Sequence, residues 1–136
     1  MIVADNNIIA YLLISGERTE QARQLYAADS DWFVPTLWRH EFLNVLATLV
    51  KYGGGDVTDA LGLWQQAEML LINRERTVSL PDALKLAVVS GISAYDAQYV
   101  ALAESLNCAL VTEDKRLIEK FPNRTMTILA YLNRGS

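Results

Sequence analysis

Apolar positions in this chain fall into a few short unbroken runs, set between longer stretches with helical spacing. Ile2-Val3-Ala4 is one such run, and it stops at Asp5-Asn6-Asn7. Ala109-Leu110-Val111 is another, ending through Thr112 at Glu113 and Asp114. Asp31-Trp32-Phe33-Val34-Pro35 reads as a third strand, closed by a proline that cannot donate to a ladder. Helices are predicted from Ile8 to Leu13, Thr19 to Ala28, Thr36 to Tyr52 and Thr58 to Ile72. Phe42, Val45, Leu46 and Leu49 carry the apolar face of the third, and Gly53-Gly54-Gly55 ends it. Leu63, Trp64, Ala67, Leu70 and Leu71 carry that of the fourth. Further helices are expected from Asp82 to Ser90, Ser93 to Leu106 and Lys115 to Lys120. Thr77-Val78-Ser79 and Thr127-Ile128-Leu129 read as short extended pieces.

Short apolar strands alternating with helices imply an α/β domain, a parallel sheet covered on both faces. No linker or repeat interrupts it, so residues 1–136 read as one domain, with 134–136 expected as a frayed tail or cloning remnant. In such sheets ligands bind outside the carboxyl ends of the strands. Asp5 and Asp114 both fall there.

The composition is globular, with 51% hydrophobic residues. One cysteine, Cys108, excludes an internal disulfide or a thiolate metal site. No basic, apolar leader precedes Asp5, and no run approaches the ~20 apolar residues of a membrane span, so no membrane is expected and the cytoplasm is the expected compartment. A net charge of −4 argues against nucleic-acid binding through a broad basic face, yet leaves room for a nucleic-acid enzyme with local patches or bound cations.

Each notable acid has an ordinary reading. Asp5 could cap the first helix, Asp96 could close a capping box opened by Ser93, and Asp114 could sit in a first turn after Thr112. Glu41, in line with Asn44 and Thr48, could be a solvated helix edge. Together they carry more. The strand ends at 5 and 112 share one sheet edge, Asp96 opens the helix feeding the second strand, and Glu41 can reach the same edge from the helix after Pro35. Two such charges at 4 Å repel by about 4 kcal/mol at an effective dielectric of 20. A cluster of this kind raises its proton affinity or recruits a cation. All-carboxylate ligation suits Mg²⁺ or Mn²⁺, which activates water and clamps a phosphoryl oxygen. The single histidine, His40, points about 100° away from Glu41 on its helix and is not counted as a ligand.

Three blocks, IVADNNIIAYLL (2–13), VPTLWRHEFLNVLATLVKYG (34–53) and SAYDAQYVALAESLNCALVTEDKRL (93–117), resemble PIN-domain ribonucleases, in particular the VapC-type toxins of toxin–antitoxin pairs. The resemblance spans nearly the full length. It implies an α/β/α sandwich with a short central parallel sheet. It implies a metal-dependent endoribonuclease whose acidic quartet is Asp5, Glu41, Asp96 and Asp114, with Asp5 and Asp96 as the expected direct ligands and Glu41 and Asp114 completing the site, directly or through water. Asn44 and Thr112 would support the ligands, and Asn6 could also contact substrate. Asn6-Asn7 departs from the family's usual Thr or Ser after the first Asp. Glu113 is an extra acid, expected to face solvent as a bystander, with the alternative that it substitutes as a ligand. Arg39, Lys115 and Arg116 are candidate RNA contacts, with His40 beside Arg39.

The resemblance also implies a homodimer and a cognate antitoxin whose tail would block the acidic pocket. The apolar excess of the 58–72 helix suits either core packing or such a contact. The competing reading is a catalytically weak or inactive PIN-like module that binds RNA or protein. A haloacid-dehalogenase-like phosphatase would need an Asp where Asn7 stands, and a receiver domain a paired-acid block near its first strand.

Overall fold

The computed structural model describes residues 1–135. Five parallel strands lie in the order β3-β2-β1-β4-β5, namely β1 (Ile2–Ala4), β2 (Trp32–Pro35), β3 (Glu75–Arg76), β4 (Ala109–Val111) and β5 (Thr125–Met126). Strand alternation assigns side chains to two separate cores. Ile2, Ala4, Trp32, Val34 and Val111 face one, while Val3, Phe33 and Leu110 face the other. The first core is covered by α1 (Asn6–Leu13), α2 (Thr19–Ala28), α3 (Trp38–Tyr52), α4 (Val57–Leu71) and α8 (Ile128–Asn133). The second is covered by α5 (Leu80–Ser90), α6 (Ala94–Leu106) and α7 (Lys115–Lys120). This is the expected α/β/α sandwich.

The chain leaves β1 towards β2 on one side and later returns past it to β4 on the other. The crevice between the carboxyl ends of β1 and β4 is therefore the topological switch point of the sheet. Ala4 pairs with Val111, which sets Asp5 beside Thr112.

Two extended pieces are misplaced in the sequence reading. Thr77-Val78-Ser79 is not a strand; β3 lies just before it at Glu75–Arg76, and Ser79 already caps α5 through a bond from Asp82 N at 3.3 Å. Thr127-Ile128-Leu129 belongs to a helix instead. Thr127 Oγ1 accepts from Ala130 N at 3.0 Å, and Ile128 and Tyr131, three apart, bury one face of α8. A lone triplet of this kind carries no period, so the cap decides it. At the expected tail, Arg134 donates to Tyr131 O at 2.7 Å, and Ser136 lies outside the described residues.

The 58–72 helix splits between its two readings. Ala60, Ala67 and Leu71 are buried, and Trp64 stacks on Trp38 at 5.5 Å, whereas Leu61 and Met69 stay exposed.

The α5–α6 turn presents Ser93 and Asp96, and it is fixed by Gly91 in the left-handed region at φ 71°. Two cations from α7 hold its carbonyls: Arg116 Nη2 donates to Gly91 O at 2.6 Å and Lys120 Nζ to Ser90 O. A Cβ on Gly91 would stand 3.3 Å from Lys120 Nζ. Gly91→Ala is expected to destabilise the fold by about 1–2 kcal/mol, the cost of the left-handed conformation for a residue with a Cβ. A urea titration checks this, and Gly91→Asn should recover part of the loss.

Candidate active site

The first acid follows directly from the β1–β4 pairing. Asp5 N donates to Val111 O at 3.1 Å, which extends the ladder one residue past each strand. Asp5 stands at the N-cap position of α1, yet its side chain makes no capping bond. Its Oδ2 accepts from Thr112 Oγ1 at 2.7 Å. Thr112 is fully buried, and its hydroxyl oxygen also accepts from Asp114 N at 3.1 Å. One threonine thus ties the ends of β1 and β4 to the start of α7.

Glu41 lies in the first turn of α3 and is half-buried. Its Oε1 accepts from Tyr99 Oη at 2.6 Å. Asp96 lies in the first turn of α6, where its N–H donates to Ser93 Oγ at 3.0 Å. Asp114 is the N-cap of α7, with Oδ1 accepting from Arg116 N at 2.9 Å and Leu117 N at 3.3 Å. For Asp96 and Asp114 the capping geometry is real, and it coexists with convergence.

That convergence is visible in proton affinity. Burial pushes Asp5 above the ordinary aspartate range; Thr112 and the nearby backbone amides oppose this, and the charge of Asp96 adds to it. Burial also raises Glu41, the Tyr99 phenol lowers it, and the charges of Asp5 and Asp96 raise it further. Asp96 is raised by burial and then by Asp114, against Ser93 and Arg116. Asp5, Glu41 and Asp96 therefore feel one another across the crevice, and Asp114 joins through Asp96. Among the described residues no three of these groups close on a single point as a finished metal cage. The donor set nonetheless fits a hard divalent cation: it is all oxygen, it is self-repelling, and Asn6 Oδ1 lies buried beside Asp5 with no partner.

Other expected residues fare unevenly. Asn44 is exposed and makes no side-chain hydrogen bond among the described residues. Arg39 is not directed at the acids. It forms an ion pair with Glu75 at 2.5 Å and a looser one with Glu68 at 3.4 Å. Lys115 and Arg116 lie at the rim beside Asp114, both exposed, and Arg116 is close enough to lower Asp96. Glu113 does not face solvent freely. Its Oε1 accepts from Arg18 Nη1 at 2.9 Å, its side chain is only 14% exposed, and its Oε2 is buried. Sequence reasoning missed Tyr99 and Arg18. Tyr99 follows Asp96 by three residues and so shares its helix face, a spacing that could have flagged it. Nothing local marks Arg18.

The raised acids fix a sign for pH. Near and above the ordinary aspartate value of 3.8, the folded protein keeps protons that the unfolded chain has released. These groups therefore stabilise the fold least once pH has risen past their raised values. Metal-free Asp96→Asn is expected to melt above wild type at pH 7 and to lose that advantage as pH falls towards 4. Thermal melts across that range, in buffers free of divalent cations, check this.

Comparison with known proteins agrees with the geometry. The PIN domain family matches residues 2–122. Ribonuclease VapC9 of Mycobacterium tuberculosis is 42% identical over 121 residues, covering 86% of this chain and 88% of its own length. Ribonuclease VapC3 of Pyrobaculum aerophilum is 34% identical over 125 residues, covering 89% of this chain and 95% of its own. The crystal structure of PAE2754 from Pyrobaculum aerophilum superposes with a TM-score of 0.77 at 22% identity, covering 97% of this chain and 96% of that one, a likeness of fold. Matched along nearly its whole length by the family and by these relatives, the chain belongs to the PIN-domain family and, within it, to the VapC-type proteins.

Proposed function

We propose that this protein is an endoribonuclease that hydrolyses RNA phosphodiester bonds with Mg²⁺ or Mn²⁺, and that it is the toxin of a toxin–antitoxin pair. The observation that carries the reading is the gathering of Asp5, Glu41 and Asp96, three acids from distant parts of the chain, at the sheet's switch point, where burial first and neighbouring carboxylate charge second raise their proton affinity. Its relatives are named VapC ribonucleases.

In this reading Asp5 and Asp96 hold the cation directly, and Glu41 and Asp114 complete its shell. The bound cation supplies a nucleophilic water at neutral pH and a clamp for the phosphoryl oxygen. Thr112 holds one oxygen of Asp5 and leaves the other for ligation. Asn6, next to Asp5 in the chain, has a buried side-chain carbonyl with no hydrogen-bond partner among the described residues, free to add a further oxygen ligand. Lys115 and Arg116 at the rim guide the RNA backbone, while the net charge of −4 leaves selection to RNA shape and unpaired loops.

Two surfaces support the partner expectations. An apolar groove of about 390 Å³ runs between α3 and α4, lined by Leu43, Leu46, Val50, Val57, Leu61 and Trp64, and it suits an amphipathic helix of the antitoxin. On α5, Leu80, Leu84 and Val88 form an exposed stripe one turn apart, with Asp82 and Lys85 on the same helix. Two copies of α5 packed antiparallel would bury the stripe, as an isologous dimer requires.

Asp5→Asn is expected to cut metal-dependent cleavage of total cellular RNA at least about a hundredfold, by analogy with the loss of groups that support a metal site. Mn²⁺ at a hundred times its dissociation constant should stabilise wild type by about 2.7 kcal/mol and the variant far less. Cleavage that survives chelator would overturn the reading. Leu84→Asp is expected to convert a dimer to a monomer by light scattering while leaving the metal-induced rise in melting temperature intact.

A further inference from the structure

Tyr99 is packed among Val3, Phe33, Val100 and Leu110 and is 2% exposed. A phenylalanine would fill that place equally well. The hydroxyl is what needs explaining, because a buried phenol must find a partner. Its partner is a carboxylate 58 residues away in sequence, Glu41 Oε1, at 2.6 Å. Tyr99 follows Asp96 by one turn of α6, so a single helix face delivers one acid and grips another. Glu41 Oε1 accepts the phenol's hydrogen bond, and among the described residues Oε2 has no protein donor. Glu41 receives no other side-chain bond among the described residues, so nothing else fixes its three rotatable bonds.

We propose that Tyr99 is a positioning residue, its phenol holding the Glu41 carboxylate in place so that the second oxygen stands ready beside Asp5 and Asp96 for a divalent cation. The proposal rests on the metal-dependent nuclease reading. A carboxylate held in advance loses less freedom when the cation arrives, and groups that orient metal ligands in this way typically govern affinity by about 10–100-fold.

The test uses Mn²⁺ as the probe, with titration calorimetry on the full chain without RNA and, in parallel, the Mn²⁺ dependence of total-RNA cleavage. Tyr99→Phe keeps the ring, and a metal-free melt reports whether it folds. Its Mn²⁺ affinity is expected to fall about 10–100-fold. The Mn²⁺ needed for half-maximal cleavage should rise by the same factor, with the rate recovering at saturation. In a Glu41→Ala background, Tyr99→Phe should change Mn²⁺ affinity no further. Unchanged affinity in the folded single variant overturns the proposal and leaves the nuclease reading standing. An equal loss in the Glu41→Ala background overturns it too, because the phenol would then act through another group. If Tyr99→Phe does not fold, Glu41→Asp draws the carboxylate one methylene back from the phenol and should reproduce the loss; wild-type affinity there is fatal to the proposal. Wild type that neither binds Mn²⁺ nor cuts RNA removes the nuclease reading and this one with it.

Discussion

The site depends on one pairing, that of β1 with β4. These strands are only three residues long, and they come from opposite ends of the chain. Their register fixes Ala4 against Val111, and everything at the crevice follows from that. A slip of one residue would exchange the two faces of each strand, setting Val3 where Ile2 or Ala4 packs and misfitting two cores built from different side chains. The two cores on either side of the sheet therefore enforce the register. The Asp5–Thr112 bond is its consequence, a polar contact positioned by apolar packing on both faces.

The same packing makes the site costly. Asp5 is drawn deep enough that burial outweighs every donor it receives, and Glu41 and Asp96 are raised for the same first reason. Neighbouring charge comes second. The protein supplies few donors in return: Thr112 for Asp5, Tyr99 for Glu41, and Ser93 with Arg116 near Asp96. Cations elsewhere are committed to other work. Arg18 holds Glu113, Arg39 holds Glu75, and Arg74 pairs with Asp31 at 2.7 Å. The uncompensated charge thus stays in the crevice, which is the condition for a site that takes up a cation.

Much of this was legible in the sequence, for identifiable reasons. The strands ending at Asp5 and Asp114 announced themselves as apolar runs broken by acids, and Phe42 with Leu46 fixed the helix that carries Glu41. What failed lacked a period to read. Thr125–Met126 and Glu75–Arg76 are two-residue strands, formed because the sheet already offers an edge there. Arg39 was expected at the site because it adjoins Glu41 in sequence. The two lie two residues apart on the helix, and that turn of about 200° carries Arg39 to the far side, towards Glu75. Glu113 was read as solvated because Arg18, 95 positions away, is invisible to local reasoning.

The capping and catalytic readings of the acids turn out not to compete. Asp5 and Asp114 occupy N-cap positions, and Glu41 and Asp96 lie in first turns, so all four stand at helix starts. Each helix start presents unpaired N–H groups and a partial positive charge, worth about 0.3–1 kcal/mol to a nearby anion. That is too little to cancel burial, as the raised Asp5, Glu41 and Asp96 show. It is enough to favour acids at these helix starts. In a parallel sheet the helix starts gather at the carboxyl ends of the strands, so a rule that selects acids for helix starts also selects acids for the crevice. For Asp96 and Asp114 the local signal looked ordinary because capping geometry and a place at the crevice are one arrangement, whereas Asp5, which makes no capping bond, and Glu41, whose ordinary reading was a solvated helix edge, reach the crevice through the strand and helix that carry them.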